Sequence, residues 1–432
     1  MKEEGHPKGL YMLFMVEMWE RFGYYGMRAL LVLYMVHQLM FSTEKAGQVY
    51  GWVTSLVYLM PLLGGYVADR YLGQKKCIVI GSVCMAVGYF LLGLSAPLFY
   101  LSLGLVIFGN GFFKPNISTI VGKLYPPNDP RRDGGFTIFY MGINLGAMFS
   151  PLIAGTLGEK FGWRYGFWAA SVGMVIALLT FLLKTRQTLG DICDGPAHCS
   201  SSGVSGEPQH PVDAPLTTEE WHRIAVIFIM TFFAIFFFAA YEQAGSSMTL
   251  FADTSTNRVL FGWQFPASWF QSVNPLFIVL LALPFSKTWI YLSRKGIEPT
   301  TPRKFAIGLV FLSAGFVVMM FAAMANAASG APVSFLWLTG AYLLHTIGEL
   351  CLSPVGLSMV TKLAPMKFAS LLMGTWFLSN AAANLLAGFF AGNYDTMNHV
   401  QFFAIPAGVA MLSAIILWSL VKPIERWMHG VH

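Results

Sequence analysis

The sequence predicts an all-α integral membrane protein with twelve transmembrane helices in two six-helix bundles. Three observations carry that expectation. The chain of 432 residues is 56% hydrophobic and only 11% charged, where a soluble domain carries about 25% charged residues. Its mean hydropathy is +0.59, and apolar runs long enough to cross a bilayer recur along its whole length. A single long polar stretch, 185–218, interrupts those runs and divides the chain in two.

The first apolar run, 10–36, follows a short N-terminus of mixed charge, MKEEGHPKG. It is too long for the core of a signal peptide, so it is expected to stay as span 1. The following runs predict spans over 47–69, 76–95, 98–122, 134–157 and 165–184. Residues 185–218 are rich in Gly, Ser, Pro and acid, the composition of a linker. Beyond them, spans are expected at 219–251, 266–287, 304–325, 333–361, 368–391 and 399–421. The expected organisation is therefore a bundle over 1–184, a cytoplasmic linker over 185–218 and a second bundle over 219–432. Two such halves suggest a transporter that rocks around a midplane site.

Lysines and arginines sort by loop. Twenty of the 27 fall on the side of the two termini, and only Lys45, Lys160, Arg164 and Arg258 fall on the other. The positive-inside rule puts both termini in the cytoplasm. The formal charge of +6 thus reflects orientation in a membrane and implies no nucleic-acid partner. Cys77, Cys84 and Cys351 fall in or beside spans, while Cys193 and Cys199 flank His198 in the linker. Regular four-ligand spacing is missing, so these read as free thiols with no metal. The nine histidines are scattered. With no Ser/His/Asp or metal constellation in any span, the chain does not read as an enzyme, and no cofactor is expected.

Span 1 departs from this apolar pattern. Its segment EMWERFGYYGMR carries Glu17, Glu20, Arg21 and Arg28. Each charge in a bilayer costs roughly 2.5–3.5 kcal/mol on the lenient insertion scale. Positions 17, 20, 21, 24, 25 and 28 are spaced by three and four, so they share one helix face. That face must look toward protein or a water-filled cavity. Glu17 can pair with Arg21, and Tyr24 stands one turn from Arg28. The stripe is either a ladder that locks helix 1 to its neighbours or part of a working site. Lys114 in span 4, Glu242 in span 7 and Glu349 in span 10 add to it, giving four intramembrane acids against three bases. An odd acid can carry a proton.

Several segments carry a resemblance. GGYVADRYLGQKK, at the end of span 2, resembles the loop signature of the major facilitator superfamily. EMWERFGYYG is similar to the E-x-x-E-R-F-x-Y-Y-G stretch of the proton-dependent oligopeptide transporter family. FGNGFFKPNIS resembles that family's fourth helix, with its lysine, and FTIFYMGINLGA its fifth. YEQAGSS, QSVNPLF and GELCLSP resemble helices 7, 8 and 10. The matches lie in both halves and in the same order.

The resemblance implies the major facilitator fold and uptake of di- and tripeptides, and of peptide-like drugs, coupled to protons. Carried over to this chain, Arg21 and Lys114 would face the peptide carboxylate. Glu349, with Asn144 and Asn274, would hold the amino group. Tyr24, Tyr25 and Tyr58 would line the pocket, and Glu17 and Glu20, with Arg21, would belong to the proton-coupling cluster. Arg28 with Glu242 would close an outer gate, and Lys114 with Glu349 an inner one. Chemistry agrees: a site that clamps both charged ends of a peptide accepts any sequence, and the arginine fork suits a carboxylate. Trp376 in span 11 is either a pocket wall or a packing residue. Pro115 and Pro354, close to Lys114 and Glu349, would loosen their helices.

Two departures bear on the source. Bacterial relatives usually carry two further helices between the halves, and 185–218 is too polar to supply them. Animal relatives carry a histidine in helix 2, where this chain has Gly51, and a large domain between spans 9 and 10, where it has a short loop. Both animal differences point to a bacterial plasma-membrane protein; a monomer in the lipid bilayer is expected. Rival readings keep the fold with nitrate, another small anion or a drug as substrate, or make the chain a non-transporting receptor. Glu349 argues against a pure anion carrier, and no filter repeat suggests a channel.

Overall fold

The computed structural model describes residues 5–126, 129, 131–190, 192, 195, 216–365 and 368–430. Helices dominate, in the order α1 (Lys8–His37), α2 (Thr43–Val67), α3 (Gln74–Leu94), α4 (Phe99–Lys123), α5 (Arg132–Ser150) and α6 (Trp163–Thr188), then α7 (Thr218–Tyr241), α8 (Ser247–Thr254), α9 (Val273–Arg294), α10 (Thr301–Ser329), α11 (Leu336–Leu363), α12 (Ala369–Ala391) and α13 (His399–Trp427). Every expected span corresponds to a helix. Among the described residues, ten helical runs are long and apolar enough to cross a membrane on those grounds alone. Lys8–His37, with its charged stripe, and Ala369–Ala391 are not among the ten. Cys193, Cys199 and His198 lie outside the described residues.

Span 7 is not one continuous helix. It breaks after Tyr241 into a 3₁₀ turn, Glu242–Gly245, and resumes as α8. The break stays satisfied because side chains take over the freed backbone groups. The Ala244 carbonyl accepts from Thr249 Oγ1 at 2.9 Å and from the Tyr342 hydroxyl at 3.2 Å. Gln243 Nε2 donates to the Ala387 carbonyl at 3.0 Å, and Ser247 Oγ to Gln243 Oε1 at 2.7 Å. Span 5 runs longer than expected, through two wide π turns, Pro151–Gly155 and Leu157–Phe161. Spans 8 and 12 also extend, to Arg294 and Trp427. Short strands that the hydropathy did not signal lie between helices: β1 (Thr256–Asn257), β2 (Val259–Leu260), β3 (Trp263–Gln264) and β4 (Val333–Ser334), with β1 parallel to β4 and β2 antiparallel to β3.

The chain forms two compact units. The first comprises the described residues of Met1–Met40, Leu56–Gly206 and Phe265–Pro275; the second those of Phe41–Ser55, Glu207–Gln264 and Leu276–His432. Each unit therefore takes in one short segment from the other half of the sequence. In the first unit, α1 packs on α5 and α6, and α3 on α4 and α6. The loop after α2 turns at Gly73, whose φ of 80° suits glycine. There Gln74 Nε2 donates to Asp69 Oδ1 at 2.8 Å, and Lys75 Nζ donates to the Gly190 carbonyl at 2.5 Å. The basic loop is thus tied to the start of the linker.

In the second unit, α10 packs on α11 and α13, and α7 on α12. The borrowed start of α2 lies on α12 with almost no space between backbones. A Cβ at Gly51 would stand 2.9 Å from Gly388 Cα and 3.2 Å from the Asn384 carbonyl. A larger side chain at this position would have no room.

Candidate functional site

The charged stripe of α1 is buried, as its spacing requires. Glu17 and Glu20 are fully buried and Arg21 is 7% exposed. Arg21 lies between the two acids: its Nη2 donates to Glu20 Oε1 at 2.6 Å, its Nε also binds Glu20, and its Nε is 3.4 Å from Glu17 Oε1. Helix α4 brings two further groups. Lys114 Nζ pairs with Glu17, and Asn110 Nδ2 donates to Glu20 Oε1 at 3.3 Å. Helix α5 closes on this cluster because residue 146 is glycine: a Cβ there would stand 2.9 Å from Arg21 Cβ and would collide with the Met18 carbonyl. The result is a cluster of two carboxylates, one guanidinium and one ammonium.

The charges are formally balanced, and one carboxylate oxygen, Glu17 Oε2, lacks a hydrogen bond. Aromatic rings border the group. The Arg21 guanidinium carbon is 5.0 Å from the centre of Tyr24, and Tyr24 meets Tyr25 edge to face at 5.4 Å. Lys114 Nζ is 5.9 Å from the centre of Phe139. Arg28, one turn beyond Tyr24, lies 6.0 Å from the centre of Tyr25. Asn144 is buried on α5, its amide donating to the Tyr140 carbonyl at 3.0 Å. Tyr58 on α2 and Asn274 on α9 are half-buried.

In the second unit, half-buried Glu349 on α11 accepts a hydrogen bond from the Tyr241 hydroxyl at 2.6 Å. Tyr241 is the last residue of α7, and its ring stacks on Phe237 at 5.8 Å. Glu242 follows at once and is 6% exposed in the 3₁₀ turn. Trp376 is 4% exposed, its ring edge-on to Phe305 at 6.3 Å and filling the space above Gly356. Pro115 and Pro354 both sit inside continuous helices.

Sequence reasoning missed two participants, Asn110 and Tyr241. The signal for Asn110 lies in FGNGFFKP, where it is four residues before Lys114 and so on the same helix face. Tyr241 adjoins Glu242, but nothing local announces that its hydroxyl reaches Glu349.

Comparison with known proteins decides the family. The POT family (PTR2) model matches residues 75–188 and 199–406. The chain belongs to the POT family. A relative described as uncharacterized transporter YclF, from Bacillus subtilis, is 37% identical over 476 residues, 99% of this chain and 96% of the relative. The peptide transporter YePEPT from Yersinia enterocolitica is 36% identical over 490 residues, covering 99% and 96%. A crystal structure of a peptide transporter POT in complex with sulfate superposes with a TM-score of 0.90 at 33% identity, covering 100% of this chain and 97% of that one. A POT family transporter in complex with a thioalcohol-conjugated peptide gives 0.87 at 29% identity, covering 98% of each chain. The major facilitator fold expected from the sequence is therefore present. POT relatives are multi-pass membrane transporters rather than enzymes.

Proposed function

We propose that this POT protein imports di- and tripeptides together with protons across a bacterial plasma membrane, by alternating access, with both termini in the cytoplasm. The observation that carries the proposal is the buried cluster of Glu17, Glu20, Arg21 and Lys114. A cluster with matched charges can take a proton or a carboxylate only by rearranging its pairs. Arrival of a peptide carboxylate at Arg21 and Lys114 competes with Glu17 and Glu20 for the same donors. A carboxylate displaced from its cations takes up a proton more readily. That competition couples proton and peptide without a metal or cofactor.

Glu349, together with Asn144 and Asn274, is assigned to the peptide amino group, and the Tyr241 hydroxyl holds the Glu349 carboxylate in place until substrate arrives. Tyr24, Tyr25 and Tyr58 offer ring faces to variable side chains. Arg28 with Glu242 forms the outer gate and Lys114 with Glu349 the inner one, each pair closing in turn. A single chain carries all of these groups, so one protomer is sufficient for the proposed site. Relatives solved with sulfate and with a conjugated peptide support a site that accepts an anionic end and peptide-like drugs. The test is peptide uptake by purified protein in liposomes, with and without an imposed proton gradient. Accumulation that a protonophore abolishes is the expected result; uptake indifferent to the gradient would reject coupling.

A further inference from the structure

The far end of span 5 is built unusually. After Ser150 the helix widens into two successive π turns, Pro151–Gly155 and Leu157–Phe161, separated only by Thr156. Such widened turns occur mainly as isolated features at working positions of helices. They present one edge to the segment Ala267–Ser272, the 3₁₀ turn that leads into α9. Three contacts join the two. The Glu159 carboxylate accepts two successive backbone N–H groups, from Ala267 to Oε2 at 2.8 Å and from Ser268 to Oε1 at 2.8 Å. Trp269 Nε1 donates to Thr156 Oγ1 at 2.9 Å. Ser268 Oγ occupies the space that a side chain at Gly155 would need.

This is a helix cap supplied from a distant part of the chain. The first N–H groups of any helix lack intrahelical partners, and a serine, threonine or aspartate just before the helix usually satisfies them. Here that position is Pro266, which makes no side-chain cap. Glu159, 108 residues earlier in sequence, supplies the acceptor instead. Its charge also suits the positive end of the helix. The capped segment, Phe265–Pro275, clusters with the first unit, whereas the rest of α9 belongs to the second. The start of this helix is thus held by Glu159 within the first unit, while the rest of it is assigned to the second. By the lysine and arginine asymmetry this end lies on the outer side, where water can replace Glu159 once it is withdrawn.

We propose that Glu159 is a positioning residue for the transport cycle. Its carboxylate caps the start of span 8 while the outer side is closed, and the cap is released when the carrier opens outward. The inference rests on the transport reading above and adds a lock separate from Arg28 and Glu242. Glutamine at 159 keeps an acceptor and removes the charge; alanine removes both.

The experiment places spin labels at Phe161→Cys and Phe261→Cys, both exposed, in protein whose five native cysteines are replaced. Distance distributions are recorded for Glu159, Glu159→Gln and Glu159→Ala, beside peptide counterflow and peptide binding. The expected result is a graded shift to longer distances, larger for alanine, with counterflow reduced about tenfold and binding changed less than twofold. Unchanged distances in folded Glu159→Gln would overturn the proposal, and that variant alone decides the matter if alanine fails to fold. Loss of thermal stability with wild-type distances would also overturn it, making Glu159 a cap for folding only. The distance readout needs no substrate, so a failure of the peptide reading would show separately, as absent counterflow in the unmodified protein.

Discussion

Removing Lys114 tests the ionic cluster most directly. Glu17, Glu20, Arg21 and Lys114 sum to zero charge; Lys114→Ala leaves one uncompensated negative charge among buried groups. Truncating one partner of a buried ion pair costs roughly 3–5 kcal/mol. The lower end applies here, because Arg21 Nε remains 3.4 Å from Glu17 Oε1 and takes up part of the charge. At 1.36 kcal/mol per factor of ten, ~3 kcal/mol biases the cluster about a hundredfold toward any state that restores neutrality. A bound proton does so, and the variant then stays loaded throughout its cycle. In the unmodified protein one positive charge moving through 100 mV supplies ~2.3 kcal/mol, an accumulation of about 50-fold. In Lys114→Ala accumulation should fall to about unity, while counterflow of labelled against unlabelled peptide persists. The double change Glu17→Gln, Lys114→Ala restores neutrality, so thermal stability should recover while driven accumulation does not. The assay is uptake into liposomes under an imposed gradient, with and without protonophore. Full protonophore-sensitive accumulation in Lys114→Ala would refute the reasoning and leave Lys114 as a structural charge.

Three further outcomes are expected. Tyr241→Phe removes the 2.6 Å hydrogen bond to Glu349; a bond to a charged group contributes roughly 1.5–3 kcal/mol, so the preference for a free dipeptide over its N-acetylated form should change about tenfold or more, and an unchanged ratio in competition binding would detach Glu349 from the amino group. Gly388→Val puts a side chain against the Gly51 backbone; the start of α2 should lift from α12, raising thiol labelling of Ala46→Cys, a position fully buried near the start of α2, and lowering driven uptake, whereas unchanged labelling would show that the contact can yield. In the loop after α4, hydrogen bonds from the Arg131 side chain and backbone N–H hold the Asp129 carboxyl down at about 2 from an ordinary 3.8; because the folded value is depressed, the contribution is present above about pH 4 and is lost as pH falls toward 2. The difference in Tm between unmodified protein and Asp129→Asn should vanish across that window, and a constant difference would place its cause elsewhere.

Local properties of the chain are legible in the order of its residues. Hydropathy depends on neighbouring residues, so the helices and the polar break at 185–218 can be read directly, to within a few residues at most ends. The spacing of Glu17, Glu20, Arg21, Tyr24 and Arg28 depends only on helix geometry, so their shared face is legible too. At the break after Tyr241, an end that moved, side chains from elsewhere satisfy the backbone. Tyr342 and the amide of Gln243 stabilise the break after Tyr241; Ser150 Oγ bonds the Phe22 carbonyl just before span 5 widens.

Which partner each buried charge takes is not legible there. Lys114 meets Glu17 across 97 residues of sequence, and Tyr241 meets Glu349 across 108. A cation on a helix surface has no preference in its own sequence among several buried acids. Packing chooses, through the small residues that allow two helices to approach. By itself the sequence determined the helices, their charged face and the family, because each follows from the local order of residues. Only the tertiary structure decided that Arg21 sits between two acids, that Trp376 packs inward, and that Glu159 caps a helix from the other half of the chain. Those depend on close approaches at Gly146, Gly356 and Gly155, positions where the missing side chain leaves room.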